Sequence, residues 1–245
     1  TFDWVDRVSI ELTTQMLATL FDFPFEQRRK LTYWSDMTTA EPDSGVWDPD
    51  RFEEQWVEVM DECATYFGNL WNERASQPAK GDLISMLAHG PNTKNMSPEE
   101  FIGNVILLIV GGNDTTRNTM SGSVLAMHQN PDQRKILDAD PSLIPSMVSE
   151  TIRWQTPLAY MRRTATRDVE VGGKTIRAGD KVVMWYISGN RDASVIAHPD
   201  KFDITRDQPR RHLSFGFGIH RCMGNRLAEL QLTILWEEIL KRFPV

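Results

Sequence analysis

Residues 213–224 read Leu-Ser-Phe-Gly-Phe-Gly-Ile-His-Arg-Cys-Met-Gly, with glycines at 216, 218 and 224. Glycine at this density gives a backbone free to take tight or left-handed geometry and to approach something flat and large closely. Immediately afterwards, Asn225 to Lys241 carries Leu227, Leu230, Ile234, Leu235 and Ile239 as one apolar stripe. The pattern predicts a loop that runs into a long helix, with Cys222 at the mouth of that helix. Helix-end N–H groups and the dipole stabilise a thiolate in such a place, and His220 and Arg221 add basic groups beside it. Taken alone, a single cysteine is more often a small buried hydrophobe. In this glycine-rich setting the sulfur is suited to be the one protein ligand of a metal.

A second stretch sets local rules against each other. Ser97-Pro98-Glu99-Glu100 predicts a helix start, with serine as cap, proline in the first turn and glutamate closing a capping box. Phe101 to Val110 is apolar nearly all round, which predicts a buried helix. Gly111-Gly112-Asn113-Asp114-Thr115-Thr116 follows. Two glycines inside a helix cost about 2 kcal/mol relative to alanine, and a buried acid and hydroxyls cost more unless hydrogen-bonded. Either a loop separates two helices here, or one helix carries a site. Met120, Val124, Leu125 and Met127 continue the apolar pattern and favour one helix.

The remainder reads as follows. Residues 1–90 are helical, with Trp4, Val8, Leu12 and Met16 at helical spacing, a short helix from Gln27 to Asp36 and a long one from Asp50 to Trp71. Cys63 lies on the apolar stripe of the latter and is expected to pack. Pro145 to Trp154 is a helix on which Glu150 and Arg153 are neighbours; a pair of this kind is usually solvated and worth little. Leu158 to Arg163 is expected to be a turn, Val169 to Ile176 a hairpin turning at Gly172-Gly173, and Lys181 to Tyr186 a strand. Residues 188–212 lack periodicity and are expected to form a long ordered loop. A net charge of −7 argues against nucleic acid as partner. Two distant cysteines predict no disulfide scaffold and a reducing, cytoplasmic setting, and no apolar run approaches the length of a membrane span. The chain starts without Met and stops after Phe243-Pro244-Val245, as if cut.

The spacing Phe215-x-x-Gly218-x-His220-x-Cys222-x-Gly224 resembles the haem-ligand loop of the cytochromes P450. Gly111-Gly112-x-Asp114-Thr115 is similar to that family's distal-helix motif, and Glu150-x-x-Arg153 to its Glu-x-x-Arg element, in the family's order. The resemblance implies a mainly α cytochrome P450 fold, in part: a long distal helix, minor β hairpins, a meander and the cysteine loop. Residues 1–245 would form a single partial haem domain, lacking the family's first helices and terminal hairpin. It implies haem b (iron protoporphyrin IX), with Cys222 as iron ligand. Phe215 would pack at the loop, and His220 and Arg163, or Arg162 one residue away, would reach propionates. Gly111, Gly112, Gly218 and Gly224 would lie close to the cofactor. Asp114 and Thr115 would deliver protons to dioxygen. Glu150, Arg153 and Arg206 would brace the cysteine loop.

The implied activity is hydroxylation of an apolar substrate, a medium-chain alkane or fatty acid at or near its end. Leu107, Val110, Gly111, Leu158 and Ala159 are the implied substrate contacts. Two electrons would come from a ferredoxin-type donor with its reductase. Lys201, Arg206, Arg210, Arg211, Arg221 and Arg226 would supply a basic docking face wherever they remain exposed. A peroxide-driven peroxygenase and a non-catalytic haem-binding fragment are the alternatives; the Asp114-Thr115 pair speaks for dioxygen.

Overall fold

The computed structural model describes residues 1–243, so the Pro244-Val245 ending noted above lies outside the described residues. The chain divides into two compact units, Thr1–Arg117 and the remainder from Asn118.

In the first unit a π-helical turn, Val5–Ile10, leads into α1 (Glu11–Phe21), followed by α2 (Arg29–Thr39), α3 (Phe52–Ala75) and α4 (Leu83–His89). The core gathers Leu17, Phe21, Phe23, Leu31, Trp34, Cys63, Phe67, Val105 and Ile109. Rings of Phe23, Trp34, Tyr66 and Phe67 meet edge-on or tilted at centroid distances of 4.9–6.3 Å. Cys63 is buried as expected, and burial pushes its thiol up to about 12, which leaves it inert. The expected stripe of the first helix is displaced by one residue. Ser9, Thr13, Thr14, Leu17, Ala18 and Phe21 face inward. The Thr13 and Thr14 hydroxyls satisfy themselves on helix carbonyls at 2.8–3.1 Å, so they enter the core at little cost.

The long helix α5 (Pro98–Gln129) is continuous through Gly111 and Gly112. Its start is the reciprocal capping box: Glu100 N–H donates to Ser97 Oγ at 3.2 Å, and Ser97 N–H to Glu100 Oε2 at 2.9 Å. Phe101, Val105 and Ile109 are buried, but the all-round burial expected of Phe101–Val110 fails on one side. Leu107 is 69% exposed, one turn before the exposed Gly111.

In the second unit α6 (Pro131–Ala139) precedes α7 (Ile144–Gln155), most of which is buried, and α9 (Asn225–Arg242) packs against α7. A Cβ at Gly122 would run into the Gln155 side chain, so α5 and α7 approach each other at that glycine. The stripe expected on α9 is corrected: Gln231, Leu232, Trp236 and Ile239 are buried, whereas Leu230 and Ile234 are exposed. Trp236 fixes this rotation by donating from Nε1 to Ser123 Oγ at 2.9 Å. The segment expected to turn at Leu158–Arg163 is corrected too. Tyr160–Thr164 is strand β1, antiparallel to β4 (Lys181–Trp185), with Arg163 opposite Val182. The hairpin β2 (Val169–Val171) and β3 (Lys174–Ile176) turns at Gly172 and Gly173, both at positive φ, the geometry a two-residue turn requires. A short helix α8 (Tyr186–Gly189) opens the long loop that leads to the cysteine segment.

Candidate functional site

The cysteine segment is a closed loop built from its own backbone. Gly216 and Gly218 take φ of +67° and +74°, which side chains with a Cβ rarely adopt. Gly216 N–H donates to Leu213 O at 2.8 Å, Arg221 N–H to Gly218 O at 3.0 Å, and Cys222 N–H to Phe215 O at 2.8 Å. Asn225, the first residue of α9, donates from Nδ2 to Cys222 O at 2.7 Å and ties loop to helix. The result presents the Cys222 thiol at the surface. Phe217, Ile219 and Met223 around it are 84%, 96% and 83% exposed. Gly224 caps α9, and a Cβ there would meet Cys222 Sγ only at an ordinary 3.9 Å.

Beneath the loop lies a buried ion cluster. Glu150 and Arg153 are both fully buried, so the solvated pair that spacing alone suggests is not what forms. Every Arg153 N–H has an acceptor. Nε and Nη2 donate to the two Glu150 oxygens at 2.8 Å each, Nη1 to the carbonyls of Asn190 and Pro199 at 2.8 and 2.9 Å, and Nη2 also to Lys201 O at 3.1 Å. Arg206 adds its Nε at 3.1 Å and the Asp203 N–H adds a further bond at 2.9 Å, which completes the Glu150 carboxylate. A buried pair with both partners saturated is the case in which burial is tolerated. Arg153 thereby pins three carbonyls of the long loop to α7.

Asn190 extends the clamp to the cysteine loop. This fully buried side chain donates to Thr156 Oγ1 and Ser214 Oγ, both at 2.9 Å, and accepts the Leu213 N–H at 2.7 Å. Ser214 in turn donates to Ile152 O at 2.8 Å. Sequence reasoning missed Asn190, a lone amide in an aperiodic stretch. It also missed His212, whose ring lies 5.4 Å from that of Phe215. Burial, reinforced by Arg221, Arg153 and Arg210, pushes His212 down to about 4.

On α5, Thr115 donates from Oγ1 to Gly111 O at 2.8 Å. A Cβ on Gly111 would meet nothing within 4 Å, whereas one on Gly112 would come within 2.9 Å of Leu17 Cδ2. The two glycines therefore do different work: Gly111 leaves an open side, and Gly112 lets α1 approach. Asp114 pairs with Arg117, which also reaches Asp36 of α2 at 2.9 Å. Burial raises the Asp114 carboxyl above its ordinary range, against the opposing Arg117 charge.

Of the other expected residues, Leu158 and His220 are exposed and Val110, Ala159 and Arg163 half-buried. Arg162 and Arg163 lie on opposite faces of β1 by strand alternation. Arg206 is spent in the clamp and Arg210 pairs with Glu229, while Lys201, Arg211, Arg221 and Arg226 stay exposed.

These residues fit a haem. Among the described residues no group of three or more His, Cys, Asp or Glu is placed to hold a bare metal ion. One exposed thiol would suit an iron whose other ligands come from a macrocycle. The apolar side chains around it are of the kind that the flat face of such a ring would cover.

Residues 142–245 match the family described as Cytochrome P450. Linalool 8-monooxygenase of Pseudomonas putida is 38% identical over 247 residues, 99% of this chain and 60% of that protein. The solved structure of Cytochrome P450-153 from Novosphingobium aromaticivorans is 54% identical with a TM-score of 0.88, over 99% of this chain and 58% of that one. CYP153D17 from Sphingomonas sp. PAMC 26605 is 56% identical with a TM-score of 0.89, over 98% and 60%. The chain thus spans about three fifths of the length of these relatives.

Proposed function

We propose, for a chain that belongs to the cytochrome P450 family, that the full-length protein is a haem-thiolate monooxygenase. Its substrate would be an apolar molecule, a medium-chain alkane or fatty acid hydroxylated at or near the chain end. The observation that carries the reading is the exposed Cys222 thiol on a loop braced from below by the saturated Glu150–Arg153–Arg206 cluster. Haem b, held by the Cys222 thiolate, would supply dioxygen activation.

The chain's own residues do the rest. Cys222 Sγ would hold the iron. Gly216 and Gly218 shape the loop, and Arg153 and Asn190 keep it fixed when ligand binds. The Asp114 carboxyl, raised above its ordinary value by burial, is suited to take up and release a proton. The Thr115 hydroxyl donates to Gly111 O and keeps lone pairs that can accept a hydrogen bond. Leu107 and Leu158, both exposed, are apolar surface of the kind an alkyl chain covers. A ferredoxin-type donor with its reductase would supply two electrons, docking on Lys201, Arg211, Arg221 and Arg226. No helix among the described residues is long and apolar enough to cross a membrane; we assign the protein to the cytoplasm as part of this proposal.

The test is the absorbance of the reduced, carbon-monoxide-treated full-length protein. A strongly red-shifted Soret band is expected, and it should vanish in Cys222→Ser. Hydroxylated product from a medium-chain alkane, given dioxygen and reductant, would establish the activity. A normal band in Cys222→Ser would remove the ligand assignment.

A further inference from the structure

Four non-glycine residues among those described take positive φ: Asp22, Thr156, His198 and Gln208. Asp22, His198 and Gln208 are exposed, whereas Thr156 is buried. Thr156 is also β-branched, stands before Pro157, and ends α7 at φ 40° and ψ 64°. A helix that ends left-handed usually does so on glycine, sometimes on asparagine. A branched Cβ makes this geometry unfavourable, and a following proline drives its neighbour toward extended backbone. A conformation opposed twice over persists only where the surroundings hold it, and such residues gather at sites of function.

A closed circuit of hydrogen bonds does the holding. Thr156 N–H and Ser214 Oγ both donate to Ile152 O, at 3.1 and 2.8 Å. Asn190 Nδ2 donates to Ser214 Oγ and to Thr156 Oγ1, each at 2.9 Å, which closes the circuit through the Thr156 side chain. Thr156 spends its own hydroxyl proton on Arg153 O at 2.7 Å. Asn190 Oδ1 takes the Leu213 N–H at 2.7 Å, so a turned amide would lose all of these partners. Thr156→Gly would lift the strain but open the circuit.

The circuit joins two segments that the proposed function needs in fixed relation. Thr156 sets the direction of the chain into Pro157-Leu158-Ala159, where Leu158 is exposed. Leu213 and Ser214 open the loop that leads to Cys222. Helix α8 repeats the link in backbone. Ile187 N–H donates to Ala159 O at 3.1 Å, and a Cβ on Gly189 would come within 2.6 Å of Leu213 Cδ1.

We propose that Thr156, held left-handed by Asn190, is a positioning residue: it fixes the Leu158–Ala159 segment relative to the Cys222 loop and so selects which carbon of an apolar chain is presented for oxidation. The bracket stands on the hydrogen-bond circuit; its use in selection rests on the monooxygenase reading. The strain at Thr156 is what ties the two together. A residue relaxed at this position would leave the turn free to settle by itself, whereas Thr156 keeps its direction only while Asn190 and Ser214 stay in place.

The test uses the full-length holoprotein and three variants. Thr156→Val keeps the shape and deletes the hydroxyl, and Thr156→Ser keeps the hydroxyl. Thr156→Gly deletes it and lifts the strain, so it reports even where Thr156→Val fails to fold. Amide hydrogen exchange resolved by residue is expected to quicken several-fold at both Leu213 and Ile187 in Thr156→Val and Thr156→Gly, and to stay near the parent in Thr156→Ser. Quickening confined to the Thr156 amide overturns the bracket. With n-octane as probe, Thr156→Val and Thr156→Gly are expected to raise the share of alcohol on inner carbons several-fold while the thiolate-type carbon-monoxide band is retained. Thr156→Ser should restore the parent ratio. Faster exchange with an unaltered product ratio overturns the positioning role and leaves a structural bracket. A parent protein that lacks the thiolate band or forms no product refutes the monooxygenase reading and the selection with it, and the exchange measurement still decides whether the bracket is there.

Discussion

Replacing Arg153 with methionine keeps the apolar stem and removes the guanidinium. Five hydrogen bonds disappear: two to Glu150, and one each to the carbonyls of Asn190, Pro199 and Lys201. Glu150 remains fully buried with Arg206 and the Asp203 N–H as its compensation. Removing one member of a buried pair costs roughly 3–5 kcal/mol, because the other charge stays behind. Against a total stability of about 5–15 kcal/mol, that is a large share. Urea unfolding of the full-length protein, followed by far-ultraviolet dichroism and separately by the Soret band, should show both transitions displaced to lower denaturant. The double variant Glu150→Leu, Arg153→Met removes the stranded charge as well. It should cost clearly less than the sum of the single variants, since the two sites share one network. A shift under about 1 kcal/mol for Arg153→Met, or strict additivity in the cycle, would refute the view that the cluster clamps the cysteine loop.

His212 is held low, so the folded state resists its protonation while the unfolded chain accepts a proton near the ordinary value of 6.5. The stability it contributes is present above pH 6.5 and is lost as pH falls toward about 4, a span worth about 3 kcal/mol. His212→Phe keeps a ring against Phe215 and discards two unpartnered nitrogens. It should match the parent near pH 7 and lose less stability on acidification; equal slopes in urea midpoint against pH would count against the assignment. Gly111→Ala meets open space and gains helix propensity of about 1 kcal/mol. Gly112→Ala must displace buried Leu17, at about 1–3 kcal/mol of overpacking. In haem-free protein Gly111→Ala should therefore be the more stable of the two, and the reverse order would undo the separate roles given to these glycines.

What the sequence disclosed and what it hid follow from the range of the interactions. The capping box at Ser97, the Gly172-Gly173 turn and the left-handed glycines of the cysteine loop are each decided within a few residues, and all three appear where the residue types place them. Glu150 and Arg153 were visible as a pair, but their burial was not, because it depends on carbonyls 37–48 residues further along the chain. β1 was hidden for the same reason: as a lone segment it reads as a turn, and only its pairing with β4 makes it a strand. The buried faces of α1 and α9 were misplaced because the stripes were drawn through apolar residues alone. The structure instead buries Thr13, Thr14 and Gln231 and leaves Leu230 and Ile234 outside. A hydroxyl that bonds its own helix is buried at much less cost than an unpaired one, so hydropathy alone misplaces Thr13 and Thr14. Asn190 combines both difficulties. It is polar and alone in sequence, yet it gathers Thr156, Leu213 and Ser214 into one node. The residues that would act on a ligand stand in recognisable local patterns, while those that hold the acting residues still are chosen by distant backbone and leave no pattern of their own.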